Sequence, residues 1–387
     1  MIAGRRVEAR RGVFVRLVGP LRVRVEKGRL DFGGFEAGEG FEAVVQASRG
    51  VSALAIEDTV LGVQGPGRVD VFESSVLGGV WRAWRRVLDE VARGGYRRVA
   101  VLGPVESGKS TLSAWMASRM RWCYASLDPG QNELGTPCFY SAAPVEEPVL
   151  SVKDLGARWA WLVGCTTPSH CHWSSVSAAS RLAGFTRRAC RGVVLDTDGF
   201  VSGPGLLYKQ ALLDALSPDA VVVFEKGPWR GLAQLSRGVA DAVYTVPPVP
   251  EEYVVERSRG DRRVFRERMY ARLFSSPVTL DLPLDAVAIL GADYGGLPEP
   301  RLPGLHLDAS GNVVKPRQAP RGLIAGLTLR EGYDVPALLK SIDWGLARLT
   351  VAAAWEPRGE VRAVRLGFVR LLEGWREERL GYSPVRL

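Results

Sequence analysis

Residues 96–111, YRRVAVLGPVESGKST, decide the fold, because they join a short apolar run, a glycine-rich loop and the start of a helical pattern. The loop fits G-x-x-x-x-G-K-[ST] with Gly103, Gly108, Lys109 and Ser110. This spacing lets backbone N–H groups wrap a phosphate while the positive end of the next helix points at it. A strand before the loop and a helix after it therefore predict a P-loop nucleotide-binding domain.

Different residues of this loop have different tasks on a nucleoside triphosphate. Lys109 can reach the β- and γ-phosphates, the Ser110 hydroxyl can bind Mg²⁺, and the Thr111 hydroxyl can bond the α-phosphate. We therefore expect ATP and Mg²⁺ as cofactors. The predicted nucleotide-binding residues are Gly103, Glu106, Ser107, Gly108, Lys109, Ser110 and Thr111.

A second motif, RWCYASLDPGQ at 121–131, places Asp128 at the end of an apolar run. With a P-loop upstream, an acid at a strand end is expected beside the phosphates, where it can hold Mg²⁺. The structural alternative is that Asp128 only caps the turn before Pro129. A guanine-specific switch is disfavoured, because VVVFEKGPW at 221–229 has the lysine of an N-K-x-D-like motif without the following aspartate.

The patterns on either side of the loop indicate an α/β protein with β-rich flanks. Residues 1–80 alternate apolar and polar positions between glycine-rich turns, which is typical of a small antiparallel β domain. From residue 96, apolar runs alternate with helical patterns, which predicts a parallel sheet with helices on both faces. We expect an N-terminal β domain at 1–80, a P-loop domain at 81–283 and a mainly β C-terminal domain at 284–387.

Composition adds weaker constraints. The 387-residue chain has a net charge of +9, and 44 of its 51 basic residues are arginine. A basic balance favours phosphate-rich partners such as nucleic acid, although a GC-rich gene would also enrich arginine. No apolar run approaches the roughly 20 residues of a membrane helix, and residues 1–12 have no apolar signal core. We therefore expect a cytoplasmic protein with no membrane partner.

The cysteines give no disulfide framework by their spacing. Their number is odd and their positions are scattered, which predicts reduced thiols. They stand at Cys123, Cys138, Cys165, Cys171 and Cys190. The cluster of His170, Cys171 and His172 is too tight for ordinary zinc spacing, and no second Cys/His pair completes a site.

Four motifs occur in a fixed order: GPVESGKST at 103–111, LDPGQNELGTPC at 127–138, DTDGFVSGPG at 196–205 and VVERSRGDRRVFRERMYARLF at 254–274. They resemble the P-loop, the D-x-G-Q Walker B motif, the T-x-G-W clasp and the arginine-rich lid of the Clp1/Grc3 polynucleotide kinases, in a prokaryotic or archaeal form. LVGPLRVRVEKGRLDFGG and RGLIAGLTL resemble the family's N-terminal β domain and C-terminal β segment. The resemblance implies transfer of the ATP γ-phosphate to the 5′-hydroxyl of RNA or DNA, in RNA processing.

The resemblance also implies roles for single residues. Asp128 matches the Walker B acid, which would hold Mg²⁺ through water or accept the hydroxyl proton, and Gln131 would position the acceptor end. Thr197 and Gly199 match the clasp. Phe200 stands where the family usually has a tryptophan that stacks on a terminal base, and a phenylalanine can also stack. Ser126 departs from the family too, at a position where many relatives carry an acid, which would weaken the metal site.

The lid segment 254–274 has chemistry of its own. It holds seven arginines against three acids, and cations aimed at a transferring phosphoryl group stabilise its charge. Arg262, Arg263 and Arg266 match the family's catalytic arginines, whereas a solvated charged helix is the structural alternative. His172 and Trp173 are possible contacts to nucleic acid, and buried packing is the alternative for both.

Two rival functions remain open from the sequence. The first is a nucleotide-binding scaffold or assembly factor of an RNA-processing complex with little kinase activity, possible protein partners being those of that complex. The second is an unrelated P-loop ATPase motor, which would explain neither the clasp nor the lid.

Overall fold

The computed structural model describes residues 4–47, 50–224, 230–254, 258–290, 292–293, 321–343, 345–380 and 385–386. Its order of elements follows the predicted α/β class, with a large mixed sheet between antiparallel β regions. That class is confirmed. No helix among the described residues combines the length and apolarity needed to cross a bilayer.

The N-terminal region consists of two antiparallel sheets that share one apolar core. In the third strand, Leu21, Val23 and Val25 are buried while Arg22 and Arg24 are exposed, which is the alternation that the sequence predicts. The sheet orders are β1-β8-β3-β6 and β5-β4-β7-β2-β9. The strands are β1 (Arg5–Ala9), β2 (Phe14–Val18), β3 (Leu21–Lys27), β4 (Leu30–Asp31), β5 (Glu36–Ala37), β6 (Glu42–Val45), β7 (Gly50–Ala55), β8 (Thr59–Gln64) and β9 (Arg68–Phe72).

A long amphipathic helix, α1 (Ser75–Arg93), leads into the central region. The Ser74 hydroxyl accepts a hydrogen bond from the N–H of Leu77 and caps its first turn. Its buried face includes Val80, Trp84 and Leu88. The helix therefore lies against the central sheet by the face that the sequence pattern predicts.

The central sheet runs β16-β15-β10-β14-β11-β12-β13, and helices follow most of its strands. Pairing is parallel from β16 to β11, whereas β12 is antiparallel to both neighbours. The elements are β10 (Arg98–Leu102), α2 (Lys109–Met120), β11 (Cys123–Leu127), β12 (Phe139–Pro144), β13 (Trp159–Leu162), α3 (His172–Ala189), β14 (Val193–Thr197), α4 (Gly205–Leu216), β15 (Ala220–Phe224), α5 (Arg230–Ser236), β16 (Ala242–Val246) and α6 (Arg259–Leu273).

The parallel sheet expected from the sequence is present from β16 to β11, and β12 makes the sheet as a whole mixed. No helix separates β11 from β12, and an antiparallel pair needs no crossover helix between its strands. The hairpin of β12 and β13 extends the parallel part of the sheet towards the C-terminal region.

The C-terminal strands continue the same sheet, and β13 pairs with β21 where Ala160 faces Asp334. Buried Asp334 fastens this junction: it accepts hydrogen bonds from the N–H of Leu162 at 2.7 Å and from the Arg181 guanidinium at 2.9 Å. Within the described residues the joined sheet has 14 strands. The remaining strands are β17 (Val278–Pro283), β18 (Ala288–Leu290), β19 (Ala292–Asp293), β20 (Leu323–Leu329), β21 (Asp334–Asp343), β22 (Arg348–Ala353), β23 (Val361–Leu371), β24 (Glu377–Arg379) and β25 (Val385–Arg386).

The prediction of reduced thiols is wrong for four of the cysteines. Cys123 is bonded to Cys190 across 67 residues, and Cys165 to Cys171 across 6, which leaves buried Cys138 as a thiol. The first pair is a product of topology. Helix α3 leads into β14, and β14 lies beside β11, so the end of α3 returns Cys190 to Cys123 at the start of β11.

Candidate active site

The candidate site lies where three parallel strands end at one edge of the central sheet. Strand β10 leads into the P-loop, β14 ends with Asp196 and Thr197, and β11 ends just before Asp128. The register aligns Val101 with Asp196, and Asp196 with Ser126. The strand carrying Asp196 is therefore the immediate neighbour of the P-loop strand, and Asp128 lies one strand further away.

The P-loop runs from Gly103 to Gly108, and helix α2 begins at Lys109. Gly108 has a φ of 103°, and a Cβ atom there would lie 2.6 Å from the Cη2 atom of Trp84. Only glycine satisfies both the left-handed backbone and this close approach. The loop therefore delivers the N-terminal end of α2 and the hydroxyls of Ser110 and Thr111 to a single polar cavity of about 320 Å³.

The Lys109 side chain is buried and turned back onto the loop. Its Nζ atom donates a hydrogen bond to the carbonyl oxygen of Pro104 at 2.6 Å. Burial lowers the pKa of Lys109, and the charges of Asp196, Asp128 and Asp198 oppose that shift. An ammonium group has three N–H donors, so this bond leaves two of them for a phosphate in the cavity that Lys109 lines.

Asp196 is a site residue that the sequence reasoning missed. Its side chain is 4% exposed, and the Tyr124 hydroxyl donates to its Oδ2 atom at 2.6 Å. Burial raises the pKa of Asp196 to about 6, while the hydrogen bond from Tyr124, the charge of Lys109 and the nearby Ser110 hydroxyl lower it. The sequence does contain a pattern that indicates Asp196. VVLD at 193–196 ends an apolar run with an acid, as does the stretch that ends at Asp128.

Asp128 lines the same cavity and shapes the turn that follows it. Its Oδ1 atom accepts the N–H groups of Gly130 at 2.8 Å and Gln131 at 2.9 Å. Burial, followed by the charge of Asp198, raises the pKa of Asp128, whereas these backbone hydrogen bonds and Lys109 lower it. Gln131 also lines the cavity, so the turn brings both predicted residues of the D-x-G-Q motif to it.

The clasp motif packs directly against the P-loop. The Thr197 hydroxyl donates to the carbonyl oxygen of Val101 at 2.9 Å. A Cβ atom on Gly199 would lie 2.7 Å from the Val105 backbone nitrogen, so only glycine permits this approach. Thr197 and Gly199 both line the polar cavity, so the predicted acceptor-binding motif lies beside the phosphate loop.

A buried polar network holds the clasp turn. Asp198 Oδ1 accepts the N–H of Phe200 at 2.8 Å, and the Lys209 Nζ atom lies 2.9 Å from Asp198 Oδ2. Tyr208 donates to that oxygen at 3.1 Å, and its hydroxyl lies 2.8 Å from that of Tyr140. Lys209 belongs to α4 and is 0% exposed, so a fully buried cation links this helix to the clasp turn.

The ring of Phe200 is half-buried. It stacks on the His172 ring, with centroids 6.1 Å apart and planes 8° apart, and it also packs against the central core. The neighbouring Trp173 at the start of α3 is 89% exposed. Cys171 is committed to its disulfide with Cys165, and within the described residues no group of three or more His, Cys, Asp and Glu is arranged to hold a metal.

The three predicted lid arginines have three different surroundings. Arg262 reaches the P-loop, where its Nη2 atom lies 3.7 Å from a carboxylate oxygen of Glu106. Arg263 pairs with Glu267 one turn along α6, at 2.9 Å on the exposed face. Arg266 is 8% exposed, and Glu377 of β24 accepts bonds from its Nε and Nη2 atoms at 2.5 and 2.8 Å.

The structure therefore brings Arg262 to the site and does not bring Arg263 or Arg266 to it. A spacing of one helical turn between Arg262 and Arg266 cannot reveal this, because the partner of Arg266 lies 111 residues away. Residues 255–257 of the lid, including Arg257, lie outside the described residues.

A second cavity of about 510 Å³ adjoins the polar one, and both are lined by Ser110, Thr111 and Tyr253. Its other walls include Arg16 of the N-terminal sheets and the rings of Trp81 and Trp115. The polar cavity therefore adjoins an aromatic one that is lined by residues of the N-terminal sheets and of the first helices.

The oxygen atoms at the P-loop fit a magnesium ion. Mg²⁺ prefers oxygen ligands and is commonly held by one or two carboxylates together with substrate phosphates and water. The Ser110 hydroxyl, Asp128 and Asp196 line one cavity, and the buried Oδ1 atom of Asp196 has no hydrogen-bond partner. Buried polar atoms are rarely left unpartnered, so this oxygen suits a cation or its water.

Residues 103–276 match the family model described as the P-loop of the mRNA cleavage and polyadenylation factor CLP1. Over 318 residues the chain is 24% identical to polyribonucleotide 5′-hydroxyl-kinase PH0197 of Pyrococcus horikoshii, covering 72% of this chain and 87% of that protein. The corresponding kinase TK1956 of Thermococcus kodakarensis is 26% identical over 311 residues, covering 70% and 88%.

More distant similarities point the same way. Polynucleotide 5′-hydroxyl-kinase grc3 of Aspergillus oryzae is 24% identical over 256 residues, which cover 56% of this chain and 31% of that protein. Among solved structures, a wild-type Clp1p–Pcf11p complex matches with a TM-score of 0.65 at 15% identity, covering 96% of this chain and 98% of that one. This structural match shows the fold.

Proposed function

Because this chain belongs to the Clp1/Grc3 family, we propose that it is a polynucleotide 5′-hydroxyl kinase, which transfers the γ-phosphate of ATP to the 5′-hydroxyl of RNA or DNA in RNA processing. One observation carries the proposal. Residues of the phosphate loop (Lys109, Ser110) and of the acceptor motifs (Gln131, Thr197, Gly199) line the same polar cavity. A donor and an acceptor bound there would meet in one place, which is the main requirement of phosphoryl transfer.

The nucleotide would span the two adjoining cavities. The loop from Gly103 to Gly108 would wrap the triphosphate, with Glu106 and Ser107 contributing backbone N–H groups. The base would then lie in the 510 Å³ cavity, against the rings of Trp81 and Trp115. Aromatic side chains accept any base by its π-face.

The chain's own residues would carry the transfer as follows. Lys109 would neutralise the β- and γ-phosphates from the cavity that it lines. Asp128 would take the proton of the 5′-hydroxyl group. The oxygen of that hydroxyl would then bond to the γ-phosphorus, while the bond from the γ-phosphorus to the bridging oxygen of ADP breaks. Mg²⁺, held by Ser110 and Asp128, would supply further neutralisation of the phosphate charge.

The lid would contribute through Arg262, whose guanidinium lies 3.7 Å from Glu106 of the P-loop. Arg263 and Arg266 pair with Glu267 and Glu377 instead. The Arg262 guanidinium pairs with Glu106, and a bound triphosphate would offer it a stronger anionic partner. Arg263 would meet the phosphates only after a movement of α6. Arg266 would act at a distance, by fixing α6 to β24 through Glu377.

The acceptor strand would enter past the clasp. Phe200, with one face on His172, and exposed Trp173 are aromatic platforms at this end of the sheet. Each could stack on a base near the 5′ end, which would make acceptor choice tolerant of sequence.

A nucleotide-binding assembly factor of an RNA-processing complex, with little kinase activity, is the second candidate. The similar Clp1p was solved in a complex with Pcf11p, so a protein partner of an RNA-processing complex belongs to this alternative. For either function we propose a cytoplasmic location and the division into 1–80, 81–283 and 284–387.

The deciding experiment measures transfer of ³²P from γ-labelled ATP to matched RNA and DNA oligonucleotides with 5′-hydroxyl ends. The same oligonucleotides with 5′-phosphate ends are the acceptor control, and Lys109→Ala is the enzyme control. We expect label only on 5′-hydroxyl ends and only with Lys109 present. ATP binding without transfer would favour the assembly factor, and brisk hydrolysis indifferent to oligonucleotides would favour a motor.

A further inference from the structure

Two tasks fall on Asp128 in the proposed mechanism, and one carboxylate performs them poorly together. A carboxylate that holds Mg²⁺ is stabilised in its charged form and loses basicity. In addition, the Oδ1 atom of Asp128 is already occupied by the N–H groups of Gly130 and Gln131. With a second carboxylate at the cavity, one carboxylate could hold the metal while the other acts as the base.

Asp196 has the position for that task. Its strand β14 pairs directly with the P-loop strand, at the level of Val101, whereas the strand of Asp128 does not touch β10. On the other side, Asp196 is in register with Ser126, whose hydroxyl accepts the Glu133 N–H at 3.3 Å. At this level of the sheet, Asp196 therefore supplies the carboxylate and β11 supplies only a hydroxyl.

The surroundings of Asp196 leave one of its oxygens available. Tyr124 donates to Oδ2 at 2.6 Å and fixes the orientation of the carboxylate. The Oδ1 atom is buried without a hydrogen-bond partner, in a side chain that is 4% exposed. Burying an unpartnered carboxylate oxygen is costly unless a cation or a water fills the place beside it.

We propose that Asp196, through Oδ1 and an intervening water, holds the Mg²⁺ of the nucleotide complex on the Ser110 side, and that Asp128 serves as the base. Tyr124 is then a positioning residue for the metal site, because it orients Asp196 as outer-shell partners orient metal ligands. This inference rests on the proposed function, but the metal site itself needs only a bound nucleotide.

The test measures nucleotide affinity by fluorescence with mant-ATP, once with MgCl₂ and once with EDTA, and Mn²⁺ binding by electron paramagnetic resonance. In Asp196→Asn we expect the magnesium-dependent gain in affinity to fall by more than about tenfold and Mn²⁺ binding to weaken. In Asp128→Asn we expect both to persist while phosphoryl transfer is lost. Tyr124→Phe should weaken Mn²⁺ binding by about 10-fold or more.

The opposite pattern would overturn the inference: wild-type Mn²⁺ binding in Asp196→Asn, together with loss of it in Asp128→Asn. Unchanged affinity in EDTA shows that a variant is folded, and Asp196→Ser provides a second variant should the asparagine fail that control. Failure of the kinase proposal looks different, because a motor or an assembly factor would show the same magnesium dependence without phosphorylating any oligonucleotide.

Discussion

The guanidinium of Arg266 and the carboxylate of Glu377 form a buried two-point ion pair, with N–O distances of 2.5 and 2.8 Å. Tyr270 adds a hydrogen bond to the same carboxylate at 3.2 Å, and its hydroxyl lies 3.2 Å from the Cys138 sulfur. The second half of α6 is thus tied to the C-terminal sheet. Its first half carries Arg262 to the P-loop.

This arrangement predicts opposite effects for two lid arginines. Arg266→Ala leaves Glu377 buried without its cation and should lower the free energy of unfolding by about 3–5 kcal/mol. Arg262→Ala, at a half-buried position, should leave stability within about 0.5 kcal/mol and lower kcat by about 100-fold or more. Denaturant unfolding and oligonucleotide phosphorylation measure the two effects. An Arg266→Ala protein of normal stability but without activity would restore Arg266 as a catalytic residue.

Lys109 is expected to be essential for transfer and dispensable for the fold. Its Nζ atom makes a hydrogen bond to Pro104, and such a bond to a charged group contributes only about 1.5–3 kcal/mol. Lys109→Ala should therefore abolish phosphorylation while the protein still unfolds cooperatively. Lys27→Ala, at an exposed site on β3, is the matched control. Wild-type turnover in Lys109→Ala would remove the P-loop from the mechanism.

The acid limb of the pH profile of transfer should report the two buried carboxylates of the cavity. Burial raises the pKa of Asp128 and raises that of Asp196 to about 6, so the base and the metal-holding carboxylate are both lost at a pH above that of an ordinary aspartate. We expect kcat/KM to fall as the pH drops through these raised values, whereas the fold stays intact. Circular dichroism at each pH is the control. A profile whose acid limb survives unchanged in Asp128→Glu and Asp128→Asn would assign the limb to another group.

Substitution of Phe200 distinguishes two roles of its ring, stacking on the acceptor and packing in the core. If its ring stacks on a base, Phe200→Ala should lower kcat/KM for many oligonucleotides alike by about 1–3 kcal/mol. Affinity for ATP should not change, and Phe200→Trp should retain or raise activity. Should the ring serve only the core, Phe200→Ala would cost about 3–5 kcal/mol of stability and leave acceptor use at low temperature as in the wild type.

The cysteines can be counted directly with a thiol reagent. Burial raises the pKa of Cys138 to about 12, so the native protein should show no reactive thiol at neutral pH. Unfolding in guanidinium chloride without reductant should expose one thiol, and reduction should raise the count to five. Five thiols before reduction would contradict both disulfides.

The sequence alone determined the features that depend on local spacing. The loop at 103–111 predicts its own strand, turn and helix, because the phosphate-binding geometry is built within nine consecutive residues. The alternation of Leu21, Val23 and Val25 likewise predicts a two-faced strand. The position of Asp128 directly after β11 is predicted for the same reason, because it depends only on an apolar run followed by an acid.

Only the tertiary structure decided which distant residues meet. Strand order places Asp196 beside the P-loop strand, the return of α3 brings Cys190 to Cys123, and β24 supplies Glu377 to Arg266. No periodic pattern of residues in the sequence marks these pairings. The entropic cost of closing a loop grows only slowly with its length, so residues at very different separations can become partners. Chain topology therefore determines which residues pair with each other, and so which carboxylates and cations face the site.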